Sequence, residues 1–250
     1  MNAAAGPRSN DAPVGMLLPQ RPSVPFYCQQ QTRSQFRFYI SEEIEGPDKY
    51  HQMCQVLRQA SESDQIYIHL NSGGGQIDST VQLIGAMREC KGEVITVADG
   101  IVASAATLLF LAGDGFIVNP HCLFMVHNFS GGAYGKGHEL ESQINADVRW
   151  FTRMANEFYE GFLNKAEIKK VFKGEDYWFT ADEVMSRLSA RIAHLREKES
   201  QAQQTDITSS LASIGSHLSP YLDERQTKQM DRLIKCAVKN LEEQKGNATE

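Results

Sequence analysis

Between Gln65 and Val126 the chain alternates short strand-like runs with helical ones, and the first strand ends on three consecutive glycines. The run Gln65-Ile66-Tyr67-Ile68-His69-Leu70 gives way to Asn71-Ser72-Gly73-Gly74-Gly75. Ile77 to Cys90 then carries Val81, Leu83, Ile84 and Met87 at helical spacing. Val94 to Ala98 reads as a second buried strand closed by a turn at Asp99-Gly100, and Ala103 to Ala112 as a buried helix. Phe116–Val118 and Leu123–Val126 read as two more strands. Upstream, Phe36 to Ile40 is strand-like, and Pro47 to Ala60 is helical with Met53, Val56 and Leu57 on one face. Strands that alternate with helices need crossover connections, which lay the strands side by side in parallel. The expectation is an α/β fold with a mainly parallel sheet covered on both faces.

The rest of the chain sorts around that core. Residues 1–35 are rich in Pro, Gly, Ala, Ser and Gln and read as a poorly ordered arm. A folded core spans 36–190. In it, the glycine-rich stretch Gly131 to Gly137 precedes the longest helical pattern, His138 to Leu163, whose mixed polarity predicts a projecting helix. Residues 191–250 form an extension, with a polar linker at 201–216 and a helix over 220–244. Met230, Leu233, Ala237 and Leu241 share one stripe of that helix, which suits packing on its own domain or docking a partner.

Composition narrows the function classes. A net charge of −6, with basic residues scattered, argues against a nucleic-acid or anionic-membrane binder. Five cysteines in no paired spacing suit reduced thiols in a cytoplasmic setting. No apolar run is long enough to span a membrane. Nothing in the pattern calls for a metal or a cofactor.

Four positions carry candidate chemistry. Ser104 stands where a strand gives way to an apolar helix, a place where N–H groups favour developing negative charge, although serine is also an ordinary helix cap. The Gly-x-Ser-x-Gly elbow of α/β-hydrolases is absent, since Val102 and Ala106 replace its glycines. Gly73-Gly74-Gly75 can free backbone N–H groups to face a ligand, or be a plain turn; no Gly-Lys-Ser/Thr follows to make a phosphate cradle. His127 ends a strand, and imidazole is the natural base for a serine hydroxyl near neutral pH, though a strand-end histidine is often structural. Asp176 lies beside Tyr177-Trp178-Phe179, where it could fix an imidazole tautomer; Glu175 and Asp182 compete for that role.

Taken together, Asn71-Ser72-Gly-Gly-Gly75, Ser104 in Gly100-Ile-Val-Ala-Ser-Ala105, His127 after Met125-Val126, and Asp176 before Phe179-Thr180-Ala181 resemble the proteolytic subunit of the Clp protease. They also resemble the wider ClpP/crotonase superfamily, including phage head-maturation proteases. The resemblance covers about Phe38 to Glu183, and its order Ser, His, Asp differs from that of α/β-hydrolases. It implies a superhelix of βαβ units with a projecting "handle" helix from His138, followed here by the helical extension. It implies a serine endopeptidase in which Ser104 attacks a peptide carbonyl, His127 takes the proton and Asp176 orients the imidazole. The N–H groups of Gly75 and Ala105 would form the oxyanion hole. Gly74, Ser130, Gly131 and Gly132 would bind the substrate main chain, with Gly131-Gly132 as a strand edge for extended polypeptide. Family members form homo-oligomeric rings, single or stacked face to face, and are fed by an ATP-driven AAA+ unfoldase.

The sequence departs from the family in places. Gly73 replaces the proline of the Asn-Ser-Pro-Gly-Gly turn, and Val184 to Ala190 lacks the family's Gly-Leu-Val/Ile-Asp strand. Both termini are unlike the family's, which bears on ring assembly and unfoldase docking more than on the triad. A Ser–Lys dyad using Lys136 or Lys165, a crotonase-type acyl-CoA enzyme without a serine nucleophile, and a catalytically inactive scaffold subunit are the competing readings.

Overall fold

The computed structural model describes residues 33–247, so nearly all of the expected N-terminal arm (1–35) lies outside the described residues. The elements run β1 Gln35–Ile40, α1 His51–Gln59 (entered through a 3-10 turn at Pro47–Tyr50), β2 Gln65–Ser72, α2 Ile77–Glu89 and β3 Glu93–Ala103. Then come α3 Ala105–Leu111, β4 Gly115–Val118, β5 Leu123–Val126, α4 Gly137–Phe158 and α5 Lys165–Phe172. The chain closes with β6 Tyr177–Thr180, α6 Ala181–Leu218 and α7 Glu224–Asn247. The sheet order is β1-β2-β3-β5-β6, with β4 also paired to β3. All pairings are parallel except β5 with β6.

β3 organises the sheet. Its first half, Ile95–Ala98, pairs with β4, and its last residues, Ile101–Ala103, pair with β5. The turn expected at Asp99-Gly100 does not form, and the strand runs on to Ala103. The repair comes from β2: the register slips between Leu70 and Ser72, and the Asn71 side chain fills the gap by accepting the Ile101 N–H at 3.0 Å. Gly100 admits this, because a Cβ there would stand 2.5 Å from Asn71 Oδ1. β3 therefore delivers Ser104 at the rim of the sheet.

One face of the sheet is in the core. Ile66, Ile68 and Leu70 of β2 are fully buried against α3, whose Leu108, Leu109 and Phe110 are buried too. At about 25 cal/mol per Å² of apolar surface removed from water, such side chains contribute about 1.5–3 kcal/mol each. The opposite face corrects the two-faced expectation. Arg37 and Tyr39 of β1 are exposed, and Tyr67 and His69 of β2 beside them are only half-buried. There Tyr39 stacks on His69 at 4.6 Å, the Arg37 guanidinium sits 4.5 Å over Tyr67, and Asp99 bonds His69 Nδ1 at 2.9 Å.

Two other expectations change. α4 stops at Phe158, and at 22 residues it is shorter than the 38-residue α6. Its projection is as expected: its surface is largely exposed through Trp150, and Phe151, Met154, Ala155 and Phe158 are then buried. The linker placed at 201–216 is helical, inside α6. Its serines and threonines do not break the helix because their hydroxyls bond back along it, Thr205 to Gln201 O and Thr208 to Gln204 O. α6 joins the core through Val184, Leu188 and Arg191, and Arg191 bonds the carbonyls of Glu160 and Leu111.

Candidate active site

Ser104 links β3 to α3 in a backbone conformation that L-residues avoid, φ 55° and ψ −127°. It is the one positive-φ non-glycine among the described residues. Such a conformation costs about 1–3 kcal/mol and persists only where the surroundings impose it. Here they do. The Ser104 N–H donates to Met125 O on β5 at 2.8 Å, and its carbonyl accepts from Thr107 N at 3.0 Å and Thr107 Oγ1 at 2.6 Å.

The geometry presents the Ser104 side chain to β5. His127 follows the last residue of that strand, and its Nε2 lies 2.8 Å from Ser104 Oγ. Both residues are partly buried. A hydroxyl so placed against an imidazole can pass its proton to the ring as it attacks an electrophile.

Asp176 does not join this pair by a hydrogen bond in the structure; it is exposed, one residue ahead of β6. The antiparallel register stops one residue short of the pair. β5 and β6 pair Leu123 with Thr180 through Val126 with Tyr177, and continuing that count by one step would set Asp176 across from His127. Residues directly opposite in such a ladder carry side chains on the same face. Of its two competitors, Glu175 is 3.3 Å from Lys170 Nζ, and Asp182 is exposed in the first turn of α6. Lys136 is exposed and 3.8 Å from Glu139, Lys165 is exposed at the start of α5, and neither lines the cleft at Ser104.

The glycine turn packs directly under the serine. A Cβ on Gly74 would meet Ala103 O and Ser104 Cβ at 2.7 Å, and its φ of 98° also excludes most side chains. Gly74 O accepts the Ile44 N–H at 2.7 Å, so the trans peptide turns the Gly75 N–H to the opposite side. Ala105, first residue of α3, has an N–H with no partner inside the helix.

The three glycines, Ser104 and His127 line a cleft of about 800 Å³, whose lining includes neither Ala105 nor Asp176. Ile77, Met125, Phe129 and Trp150 supply apolar wall, and Ser130, Gly131 and Gly132 form part of its rim. The strand edge expected at Gly131-Gly132 is absent; the segment is irregular and exposed. Its backbone makes no hydrogen bond between residues 130 and 135 among the described residues. Sequence reasoning also passed over Thr107 and Tyr159, which stand behind Ser104. The signal was available: Thr107 is the one polar residue between Ala105 and Ala112.

A mainly parallel βαβ superhelix with a projecting helix beside its cleft is the ClpP type of α/β fold. The chain belongs to the Clp protease family, whose model matches residues 35–188. It is 30% identical over 136 residues to the ATP-dependent Clp protease proteolytic subunit 2 of Pseudomonas aeruginosa, covering 54% of this chain and 67% of that one. It is 28% identical over 149 residues to proteolytic subunit 3 of Rhizobium meliloti, covering 56% and 75%. With subunit 1 of Leifsonia xyli subsp. xyli the identity is 24% over 163 residues, covering 64% and 82%. Among the described residues no helix is long and apolar enough to cross a membrane, and no group of His, Cys, Asp and Glu is placed to hold a metal ion.

Proposed function

We propose that this Clp-family chain is a serine endopeptidase that cleaves extended polypeptides, with Ser104 as nucleophile, His127 as general base and Asp176 as the acid that orients the imidazole. One observation carries the reading: a strained serine faces an imidazole Nε2 at 2.8 Å inside an open cleft. In the reaction Ser104 Oγ attacks the scissile carbonyl while Nε2 accepts its proton, and the same proton then passes to the leaving amine. In the neutral ring Nδ1 keeps the other proton and donates it in a hydrogen bond to the Asp176 carboxylate once that side chain turns to the ring. The N–H groups of Gly75 and Ala105 face the oxyanion as charge develops, a contribution of about 3–4 kcal/mol per donor in such sites. Gly74, Ser130, Gly131 and Gly132 line the path of the substrate main chain. The backbone groups of Ser130, Gly131 and Gly132, unpaired among the described residues, read any sequence by main-chain hydrogen bonds without a preformed strand. Gly74 contributes the close approach of its backbone.

Homo-oligomeric rings and delivery of substrate by an AAA+ unfoldase complete the proposal, both carried from the family. The exposed half of α4, with Ile144, Val148 and Trp150 in solvent, suits contact with other copies. A fluorophosphonate probe tests the chemistry: the native chain is labelled and Ser104→Ala is not. Native mass measurement on the same sample reads the assembly. An oligomer that takes no label would favour the inactive scaffold instead.

A further inference from the structure

Ser104 is clamped from behind by residues that line no part of the cleft. Its carbonyl accepts the Thr107 hydroxyl at 2.6 Å, and that hydroxyl lies 2.7 Å from the Tyr159 hydroxyl. Thr107 is fully buried and Tyr159 is 2% exposed, so neither group has water to turn to. The proton directions follow. A carbonyl can only accept, so the single Thr107 proton goes to Ser104 O, and the Tyr159 O–H must donate to Thr107 Oγ1. Burial pushes the Tyr159 phenol well above its ordinary range, which keeps that proton in place throughout the working pH.

A helical threonine bonding back to a nearby carbonyl is common, and alone it would mean little. The added feature is the origin of the second hydroxyl. Tyr159 caps the C-terminal end of α4, the helix that also lends Trp150 to the cleft wall. The relay therefore ties a wall of the cleft to the backbone of the residue at its centre. It acts on the atom that matters for strain, because the Ser104 carbonyl reports ψ directly. With Met125 O holding the Ser104 N–H on the other side, the two bonds bracket the unfavourable φ and ψ.

We propose that Thr107 and Tyr159 are positioning residues that hold Ser104 in its strained conformation and so keep Oγ on His127. The proposal rests on Ser104 being the nucleophile. Removing the Thr107 hydroxyl leaves the carbonyl with the Thr107 N–H alone and orphans the tyrosine. Removing only the tyrosine hydroxyl frees Thr107 to rotate.

The test is the labelling kinetics of the full-length chain with a fluorophosphonate over a range of probe concentrations, beside thermal melts. Thr107→Val keeps the shape and loses the hydroxyl. It is expected to lower the maximal labelling rate about tenfold, as a misplacement of a fraction of an ångström does. The half-saturating probe concentration should stay within about twofold, since the cleft is untouched. Tyr159→Phe should slow labelling in the same sense by about three- to tenfold, and the double variant should be no slower than Thr107→Val, because both break one chain. Thr107→Ser, which restores the hydroxyl, should recover the native rate. Native-rate labelling in both single variants, even with a lowered melting temperature, overturns the positioning role and leaves Ser104 standing. No labelling of the native chain overturns the reading of Ser104 and the positioning role with it.

Discussion

Met125 O accepts the Ser104 N–H at 2.8 Å, two residues before His127 meets Ser104 Oγ at the same distance. One strand, β5, thus supplies both the anchor of the hydroxyl-bearing residue and the imidazole beside it. Their separation is set by strand geometry and needs no loop to hold it.

The strain at Ser104 predicts a trade between stability and activity. Ser104→Gly relieves a positive φ and should raise unfolding free energy by about 1 kcal/mol relative to Ser104→Ala, while both lose labelling. Urea unfolding of the two variants measures this. A glycine variant no more stable than the alanine one would show that the backbone conformation costs nothing.

For the acid, Asp176→Asn should keep the fold and lose at least about 100-fold in labelling rate, because asparagine holds the wrong imidazole tautomer. Glu175→Gln, whose carboxylate sits on Lys170, should label at the native rate. The opposite ranking would move the orienting role to Glu175.

Neighbouring glycines should behave differently. Gly73 has open space around it, and Gly73→Ala should leave stability and labelling unchanged. Gly74→Ala drives a Cβ into Ala103 O and Ser104 Cβ and should cost about 1–3 kcal/mol as well as slowing labelling. Thermal melts and labelling on the pair of variants decide it.

The pH dependence of stability should run through Glu167. Arg187 donates to both its oxygens, at 2.8 and 3.1 Å, and to Phe162 O, while its guanidinium lies 4.4 Å over Phe179 of β6. The Arg187 hydrogen bonds hold the Glu167 carboxyl below the usual carboxylate range against the opposing effect of burial. A lowered folded pKa stabilises above the unfolded value, and the contribution fades as pH falls through the folded one. Glu167→Gln should therefore be less stable by about 1–2 kcal/mol at neutral pH. That deficit should begin to shrink as the pH falls below the ordinary glutamate value of about 4.3, and close as it falls through the lower folded value, where the native glutamate is protonated too. Urea melts across pH 3 to 7, on the order of the carboxylate titration range, read the gap; a constant gap would remove Glu167 as the source.

Much of this was legible in the residues themselves. The alternation of apolar and amphipathic runs fixed the βαβ order, because burial periodicity is local information. Ser104 and His127 were legible as residue types at element ends. Their contact depends on β3 pairing with β5, which runs of five residues cannot state. Asp99-Gly100 looked like a turn because nothing nearby reveals that Asn71, on another strand, completes the ladder there. The uncovered sheet face was readable in principle: Arg37 and Tyr39 alternate with Phe36, Phe38 and Ile40, and Tyr67 and His69 with Ile66, Ile68 and Leu70. The helical state of 201–216 was masked by its polarity, although the stretch has no proline and no glycine before Gly215.

That last helix has a mechanical consequence. α6 begins the residue after β6 ends, and its 38 residues make a rod of roughly 57 Å. Val184 and Leu188 are seated in the core, while Ile207 and Ile214 stand in solvent far along the same axis. Glu183 ties the root of the rod to Thr180 through both its N–H and its hydroxyl. A push on the outer end is thus a lever working on a short arm, and its fulcrum is the strand that follows Asp176.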